Sequence, residues 1–511
     1  DIGTEWVKRD AGYGSLKAEQ LDGVADTIIH GGAPVSEINA ALADPQRILL
    51  TGDHTALQDR IKITSDDATL EIADDATVKL ADDADATVST DDKGDDHQFL
   101  IVANGVDDID VIINGTVDIN RQNHPSPAAI FFKKSDYSTV TQPAGRLINA
   151  HDGVWFVDSD GCDFDAESRD TTNAVVVAEG TRNLSGHVTA LGNPDLADNK
   201  EEGIDLNGLN KDYDVSVKAF DVAQPVDVDG AQGTITVNGW SCQSLVEVSS
   251  ANRNARFTDR DGFEFNDEVT INAYGDTENT SVLVNEAPNS DTIQNITING
   301  RIYSEDGRAV QIISNFADQI NGVSINGQFI ANGAPTIELG DGSGNLSNSV
   351  SLDVIAENVG SGNALLVQDF KEVTGTVTVP FCDEKAVYIT DTPSNIDITA
   401  NVHYSNDDAI TAEGADDVTI RGQVNETGFG DDIVVTAGAT DTDIRADVET
   451  VTDNGDRTRW FGTIGGGPLG GVDISTIDTA AIKEGTVAVA DGTTNTAGVT
   501  YRRFDGAWVD T

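Results

Sequence analysis

A short strand-and-turn phrase recurs through residues 295–449 and constrains the fold more than any other feature of the chain. Each copy has a polar lead, then apolar, polar and apolar residues and a turn, as in Asn295-Ile-Thr-Ile-Asn-Gly and Asp417-Val-Thr-Ile-Arg-Gly. The residue after the lead stands at 296, 323, 350, 373, 396, 418 and 442, so the steps are 27, 27, 23, 23, 22 and 24 residues. A second series of apolar runs, from Ala309-Val-Gln-Ile to Asp432-Ile-Val-Val, lies between these copies. Each repeat therefore holds at least two short strands.

A unit this short cannot bury its apolar side alone, so successive copies must stack. The step is shorter than a propeller blade of about 40 to 45 residues, and the unit lacks the helical half of leucine-rich, ankyrin and tetratricopeptide repeats. The sequence therefore predicts an all-β fold, a parallel β-helix with one repeat per coil and about a dozen coils, over residues 46–456.

The two ends of the chain differ from the repeats. The run from Val35 to Asp44 predicts a short helix with Ser36 as its N-cap and with Ile38, Ala41 and Leu42 on one face. Such a helix would cover the open first coil, and residues 1–45 are predicted to form a docking and capping segment. Residues 457–511 are predicted to form a glycine-rich linker and a small β module.

The charge of the chain is strongly acidic, with 31 Lys and Arg against 88 Asp and Glu and a formal net charge of −57. A folded surface of about 18,000 Å² would then carry one net negative charge per about 300 Å². This repulsion destabilises a compact state in dilute buffer, whereas a Debye length of about 3 Å at molar salt removes most of it. The composition predicts adaptation to very high salt.

Composition also excludes two classes of partner. Nucleic acid is not expected as a direct partner, because phosphate binding needs clustered Lys and Arg. No apolar run approaches the roughly 18 residues of a membrane span, so membrane insertion is not expected either.

The three cysteines, Cys162, Cys242 and Cys382, are far apart and form no CxxC pair. They are predicted to be buried, unpaired small hydrophobes.

Three segments carry a resemblance to a known superfamily: Asp107-Asp-Ile-Asp-Val-Ile-Ile-Asn-Gly, Glu202-Gly-Ile-Asp-Leu-Asn-Gly and Asn295-Ile-Thr-Ile-Asn-Gly. They resemble the right-handed parallel β-helix, or pectate-lyase-like, superfamily of pectate lyases, polygalacturonases and viral tail spikes, over roughly residues 45 to 455. The ending Asp505-Gly-Ala-Trp-Val resembles small modules at the ends of viral tail-fibre proteins. The resemblance implies a homo-oligomer, with a trimer ahead of a pentamer. It leaves the function open, because many chemistries share this scaffold.

The catalytic set of the pectinases is incomplete in this chain. The polygalacturonase pattern needs Asn-x-Asp, Asp-Asp, Gly-His-Gly and Arg-x-Lys on successive coils, whereas here Gly186-His187 is followed by Val188 without an accompanying Arg-x-Lys. His187 is therefore predicted to be structural, and no catalytic residue is predicted. Carboxylate pairs cannot identify a glycosidase site here, because 88 acids place such pairs on a stacked surface by chance.

Two groups of residues are candidate binding residues. Asp158, Asp160, Asp163 and Asp165 could hold a structural Ca²⁺ or Mg²⁺ through their oxygens, although they lack the DxDxDG order, and the alternative is a solvated acidic turn. Trp155 and Trp240 are candidate glycan-binding residues, and a core or subunit-contact role is the alternative. No other cofactor is expected. Six Asn-x-Ser/Thr sequons permit surface glycosylation, at Asn114, Asn183, Asn279, Asn295, Asn345 and Asn425.

Two functional hypotheses follow. The first is a structural protein on the virion surface of a halophilic virus, a tail spike, tail fibre or capsid turret. It would bind other virion proteins and attach to host-surface glycans or glycoprotein. The second is a secreted polysaccharide lyase or glycoside hydrolase of a halophile. The missing pectinase set and the fibre-like ending favour the first.

Overall fold

The computed structural model describes residues 25–84, 87–89, 96–120, 127–168, 171–192, 202–249, 268–285, 293–314, 320–343, 347–460, 463–464, 487–489, 500–504 and 507–510. Within these ranges the chain forms 42 β-strands and one helix, α1 (Val35–Ala41). The predicted all-β parallel β-helix is confirmed, as a parallel solenoid of about 15 turns rather than a dozen. No helix among the described residues has the length and apolar character needed to cross a membrane.

The strands follow one another along the chain in two groups. The first group comprises β1 (Thr27–His30), β2 (Arg47–Thr51), β3 (Asp53–Leu57), β4 (Ile61–Ile63), β5 (Thr69–Ile72), β6 (Thr77–Leu80), β7 (Thr87–Ser89), β8 (Asp96–Asn104), β9 (Asp110–Ile113), β10 (Thr116–Asp118), β11 (Pro127–Lys133), β12 (Thr139–Thr141), β13 (Arg146–Ile148), β14 (Asp152–Val157), β15 (Asp163–Ser168), β16 (Ala174–Glu179) and β17 (Ser185–Leu191).

The second group comprises β18 (Glu202–Phe220), β19 (Gln224–Cys242), β20 (Val246–Ser249), β21 (Val269–Thr277), β22 (Val282–Asn285), β23 (Ile293–Gln294), β24 (Thr297–Ser304), β25 (Val310–Ile313), β26 (Ile320–Ala331), β27 (Ile337–Leu339), β28 (Ser347–Asn358), β29 (Leu365–Val367), β30 (Phe370–Val379), β31 (Val387–Ile389), β32 (Ser394–Val402), β33 (Ile410–Ala412), β34 (Asp416–Val424), β35 (Ile433–Val435), β36 (Asp443–Asp447), β37 (Val451–Asp453) and β38 (Arg459–Trp460). A separate four-stranded sheet holds β39 (Thr463–Ile464), β40 (Val487–Val489), β41 (Thr500–Phe504) and β42 (Ala507–Asp510).

The chain divides into two compact units, residues 1–204 and 205–511. In the second unit the strand register is the one that the recurring phrase predicts, since Val323 pairs with Val350 and Val350 pairs with Val373 in parallel. The second series of apolar runs forms its own stack, in which Val310 pairs with Ile337 and Ile337 with Leu365. Side chains alternate between the two faces of a strand, so the inward residues of successive coils fill one shared interior.

The polar lead of each phrase has a conformational role. Six leads have φ between 50° and 60°, and the seventh, Gly322, has φ 71°; the six are Asn295, Ser349, Glu372, Asn395, Asp417 and Asp441. This left-handed conformation turns the chain sharply into the next strand, and Asn, Asp and Gly adopt it at lower cost than other residues. The repeat is therefore a corner followed by a strand.

The first unit has a core rich in aromatic residues. The rings of Phe99 and Phe131 stack with centroids 4.3 Å apart, and those of Phe132 and Phe156 stack at 5.3 Å. Phe131 and Phe132 are neighbours in β11 and therefore point to opposite faces, yet both are fully buried. This strand is covered on both sides.

The N-terminal helix exists, but its cap was predicted wrongly. The N-cap residue is Pro34 and no side chain caps the helix, so Ser36 lies inside the first turn. Ile38 and Leu42 are fully buried, as predicted, whereas Ala41 is only partly buried. The helix is not the first element of the described chain, because β1 precedes it and pairs in parallel with β2.

Asn39 joins the helix to the coil beneath it. Its amide donates to the Arg60 carbonyl at 3.2 Å and accepts the Lys62 backbone N–H at 2.8 Å. The Leu42 carbonyl accepts the Thr64 N–H at 3.2 Å. The helix is thereby hydrogen-bonded to the backbone at both ends of β4.

The predicted state of the cysteines is confirmed. Cys162, Cys242 and Cys382 are buried and unpaired. The predicted division at residues 45 and 456 stays a prediction, and the structure of residues 1–24 lies outside the described ranges.

Candidate functional site

Trp155 and Trp240, the two candidate glycan-binding residues, have opposite environments. Trp155 lies in β14, is 6% exposed and packs edge-on against Phe99 at 5.8 Å and Phe131 at 6.2 Å. A ring enclosed in this way has no free face for a sugar, so Trp155 belongs to the core. Trp240 lies near the end of β19 and is 42% exposed.

The four aspartates that were candidates for a metal site do not converge. Asp158, Asp160, Asp163 and Asp165 all lie in the described part of the chain, and no three of them bring ligand oxygens within 4.8 Å of one another. Asp158 occupies a left-handed corner with φ 51°, whereas Asp163 and Asp165 point outward from β15. The Ca²⁺ or Mg²⁺ site stays a prediction without support from this arrangement.

Asp160 instead belongs to a ladder of corner aspartates in the first unit. The Oδ1 atoms of Asp66, Asp107 and Asp136 accept the backbone N–H of Asp107, Asp136 and Asp160 at 2.9, 2.9 and 2.8 Å. Each carboxylate thus satisfies a donor of the next coil. These acids hold the corner together.

His187 lies in β17, where it pairs with Asp165 of the preceding coil and its Nε2 lies 3.3 Å from the Thr189 hydroxyl. Among the sequons, Asn183, Asn279, Asn295 and Asn425 are exposed and Asn114 is partly buried. Asn345 lies outside the described residues.

Trp240 is part of a surface that we call the aromatic face: the outward residues at the ends of β18, β19, β21, β24 and β26 in the second unit. Its exposed rings are Phe220 (55%), Trp240 (42%), Tyr274 (42%) and Tyr303 (38%). A register shift between Gly239 and Cys242 forms a bulge in β19, and Ser241 within it has φ 54°. Trp240 lies within this bulge, on the outward side of β19 with Thr236 and Asn238.

Strand pairing arranges the aromatic face in three rows. In the middle row Asn238 pairs with Tyr274, Tyr274 with Arg301, and Arg301 with Gln328. In the outer row Asp276 pairs with Tyr303 and Tyr303 with Ile330. Trp240 stands opposite Asp276 in the outer row, because Gly239 pairs with Gly275 and Cys242 with Thr277, and the Ser241 N–H donates to the Asp276 carboxylate at 3.1 Å.

The third row is built of amides. Asn326 Nδ2 donates to Asn299 at 3.2 Å, Asn299 Nδ2 to Asn272 at 3.1 Å, and Asn272 Nδ2 to the Thr236 hydroxyl at 3.3 Å. These contacts fix the side chains along the stack, so the adjoining rings are displayed on a rigid base. A site built on strands is held more precisely than one on loops.

Phe220 adjoins Trp240 on the neighbouring coil. The Asp221 N–H donates to the Trp240 carbonyl at 3.0 Å, and the Gln243 N–H donates to the Val222 carbonyl at 3.1 Å. In a parallel ladder these two bonds place Phe220 opposite Trp240 and Lys218 opposite Asn238.

A different outward row, on β25, β27 and β29, contains a buried acid. Glu338 is 6% exposed; it forms an ion pair with Arg308 and accepts a hydrogen bond from Gln311 at 2.8 Å. Desolvation by burial raises the pKa of this carboxyl group despite the nearby guanidinium. Both contacts engage the same oxygen, Oε2.

Comparisons with known proteins return similarities of structure only. No protein-family model matches the chain, and no curated protein matches it. Solved structures similar to it include a Yersinia enterocolitica family 28 exopolygalacturonase (TM-score 0.39, 10% identity, covering 69% of this chain and 75% of that one). Others are PfbA, a surface adhesin of Streptococcus pneumoniae (0.38, 11%, 83% and 92%), and the Dettilon tailspike protein (0.35, 11%, 81% and 66%). At these TM-scores the similarities carry no argument about this chain, whose fold follows from its own strand pairings.

Proposed function

We propose that this chain is an extracellular structural protein on the virion surface of a halophilic virus, and that it attaches to host-surface glycans through the aromatic face. The observation that carries this proposal is the set of four exposed rings, Phe220, Trp240, Tyr274 and Tyr303, on one strand-built surface. Tail spike, tail fibre and capsid turret are the positions on a particle that suit such a protein.

The rings have a spacing that suits a polymer. Trp240 and Tyr303 lie two strands apart, which is about 10 Å at a strand separation of about 4.8 Å. Aromatic faces pack against the apolar C–H surfaces of sugars, while Asn238, Asp276 and Gln328 supply hydrogen-bonding groups beside the rings. An extended chain of sugars can contact several rings at once, so weak contacts add along it.

The acidic surface supports the halophilic part of the proposal. A net charge of −57 repels in dilute buffer and is screened in concentrated salt. Corner aspartates such as Asp107 and Asp136 stack on consecutive coils, an arrangement that high salt favours.

We further propose that the chain assembles with itself, with a homotrimer ahead of a pentamer, and with other virion proteins. Sedimentation in molar salt tests this point: a trimer is expected, and a monomer would contradict it.

The enzymatic alternative, a polysaccharide lyase or glycosidase, stays a prediction. The Glu338 carboxyl group is the observation closest to it, since acid catalysts have raised pKa values. Its engagement by Arg308 and Gln311 favours a structural role. Release of reducing ends or unsaturated sugars from host exopolysaccharide would favour the enzyme.

Binding of the full chain to immobilised host-envelope polysaccharide in molar salt tests the attachment proposal. Trp240→Ala and Tyr303→Ala are each expected to weaken binding about tenfold, as loss of an aromatic anchor costs roughly 1 to 2 kcal/mol. Phe429→Ala is the matched control, because Phe429 is 91% exposed but lies outside the aromatic face. Equal binding by all four proteins would overturn the proposal.

A further inference from the structure

The aromatic face differs in charge from the chain that carries it. Lys218 and Arg301 stand in its middle row, and Asp276 is the carboxylate in its outer row. Between β18 and β26 the three rows therefore hold two cations and one acid, in a chain with 88 acids and 31 bases, and the exposed Asp212 and Asp214 of β18 lie outside these rows. A charge reversal of this kind on an acidic protein marks a surface suited to an anionic ligand.

The two cations are available to a ligand. Lys218 and Arg301 are exposed, and within the described ranges neither has a carboxylate within 4.0 Å, unlike Arg47, which pairs with Glu71 at 2.8 Å. Other arginines of the chain do pair with carboxylates, as Arg457 does with Asp441 at 2.7 Å. An unpaired guanidinium beside exposed rings retains its two parallel N–H donors for a carboxylate or sulfate.

The positions of the cations match the rings. Arg301 pairs directly with Tyr274, and one residue separates it from Tyr303 along β24. Lys218 stands three strands from Arg301, about 14 Å at a strand separation of about 4.8 Å. Lys218 and Arg301 thus stand at either end of Asn238 and Tyr274 in the middle row, which runs from coil to coil.

We propose that the ligand of the aromatic face is an acidic glycan, whose carboxylate or sulfate groups are bound by Arg301 and Lys218 while its sugar rings pack on Trp240, Tyr274 and Tyr303. This inference rests on the proposed attachment function and names the substrate class. A neutral glycan would leave both cations unused. A second copy of the chain would have to present carboxylates at the same spacing, and that occupant is an outcome of the test.

Three dextrans that share one backbone provide the test: unmodified dextran, carboxymethyl-dextran and dextran sulfate, offered to the full chain in molar salt. The wild-type chain is expected to bind at least one charged polymer about tenfold or more tighter than dextran. The Arg301→Gln and Lys218→Gln variants should each reduce that preference roughly five- to tenfold, since hydrogen bonds to charged groups are the stronger class. Arg301→Lys should retain part of the preference because it keeps the charge but not the paired donors.

Arg146→Gln is the matched control, since Arg146 is an exposed cation of the first unit and its replacement changes the net charge equally. Equal affinity for the three polymers, or no binding to any of them, would overturn the proposal that the ligand is an acidic glycan. So would a preference that Arg146→Gln reduces as much as Arg301→Gln. The attachment function would still stand if Trp240→Ala weakened binding to host polysaccharide. Sedimentation of Arg301→Gln completes the test: a changed oligomeric mass with an unchanged preference would assign the face to a second copy.

Discussion

The Oδ1 atom of Asp136 accepts the backbone N–H of Asp160 on the next coil at 2.8 Å. The same relation joins Asp107 to Asp136 one coil earlier. The sequence predicts these aspartates only as solvent-facing acids. In the structure each carboxylate accepts a backbone N–H of the next coil at a corner between strands, and so links the two coils.

Removal of one rung should destabilise the first unit. Asp136→Ala leaves the Asp160 N–H without its acceptor, so the free energy of unfolding in molar salt should fall by about 1 kcal/mol. Asp136→Asn retains an acceptor oxygen and removes a charge, so it should match the wild-type chain in molar salt and exceed it in dilute buffer. Denaturant unfolding at both salt concentrations measures these differences. Equal losses for the two variants would show that the charge, and not the hydrogen bond, matters.

The two candidate tryptophans should respond in opposite ways. Trp155→Ala opens a cavity beside Phe99 and Phe131, so stability should fall by about 3 to 5 kcal/mol. Trp240→Ala removes an exposed ring and should change stability by less than about 0.5 kcal/mol. Thermal unfolding of both variants in molar salt checks this. A large loss of stability in Trp240→Ala would place that ring in a structural contact.

His54 should make stability depend on pH. It is 2% exposed, and desolvation by burial lowers its pKa. As pH falls, the His54 imidazole binds a proton at a higher pH in the unfolded chain than in the folded chain. His54 therefore contributes stability above the unfolded-state pKa of about 6.5, and this stability is lost as pH falls from there through the folded-state pKa. Unfolding between about pH 7.5 and 5.5 should show a slope that is absent in His54→Gln. Parallel curves for the two proteins would contradict the assignment.

The cysteines should be inert in the folded chain. Burial raises the pKa of Cys162 and Cys382 to about 12 and that of Cys242 to about 11, so almost no thiolate forms at neutral pH. Intact-mass measurement after iodoacetamide treatment should find no adduct on the native chain and three after unfolding. Modification of one thiol in the native state would show that its segment opens.

The sequence determines the fold through features that repeat. Positions 323, 350 and 373 are paired because the left-handed corner and the inward apolar residue recur together. The aromatic face has no such signal, since Phe220, Trp240, Tyr274 and Tyr303 stand at unequal steps and become neighbours only through coil register. The sequence does not separate Trp155, which lies inside the strand-like run Val154-Trp-Phe-Val, from Trp240, which comes shortly after the run Thr234-Ile-Thr-Val. Their difference arises from the aromatic cluster that encloses Trp155 and from the outward position of Trp240 on β19.

The helix cap shows a second limit. Ser36 and Pro34 both precede the apolar residue Ile38, and a serine is the commoner N-cap. Proline fixes φ near −65° and has no N–H to satisfy, and here Pro34 takes the extended conformation with φ −69° and ψ 148°. The helix therefore starts two residues earlier than a serine cap would require.

A structure of the full chain in molar salt with oligosaccharides from a host envelope bound tests the central proposal most directly. Sugar rings should lie over Trp240 and Tyr303, with an acidic group within hydrogen-bonding distance of Arg301. Oligosaccharide bound along the row of Glu338 instead, or an aromatic face covered by a second copy of the chain, would contradict the account.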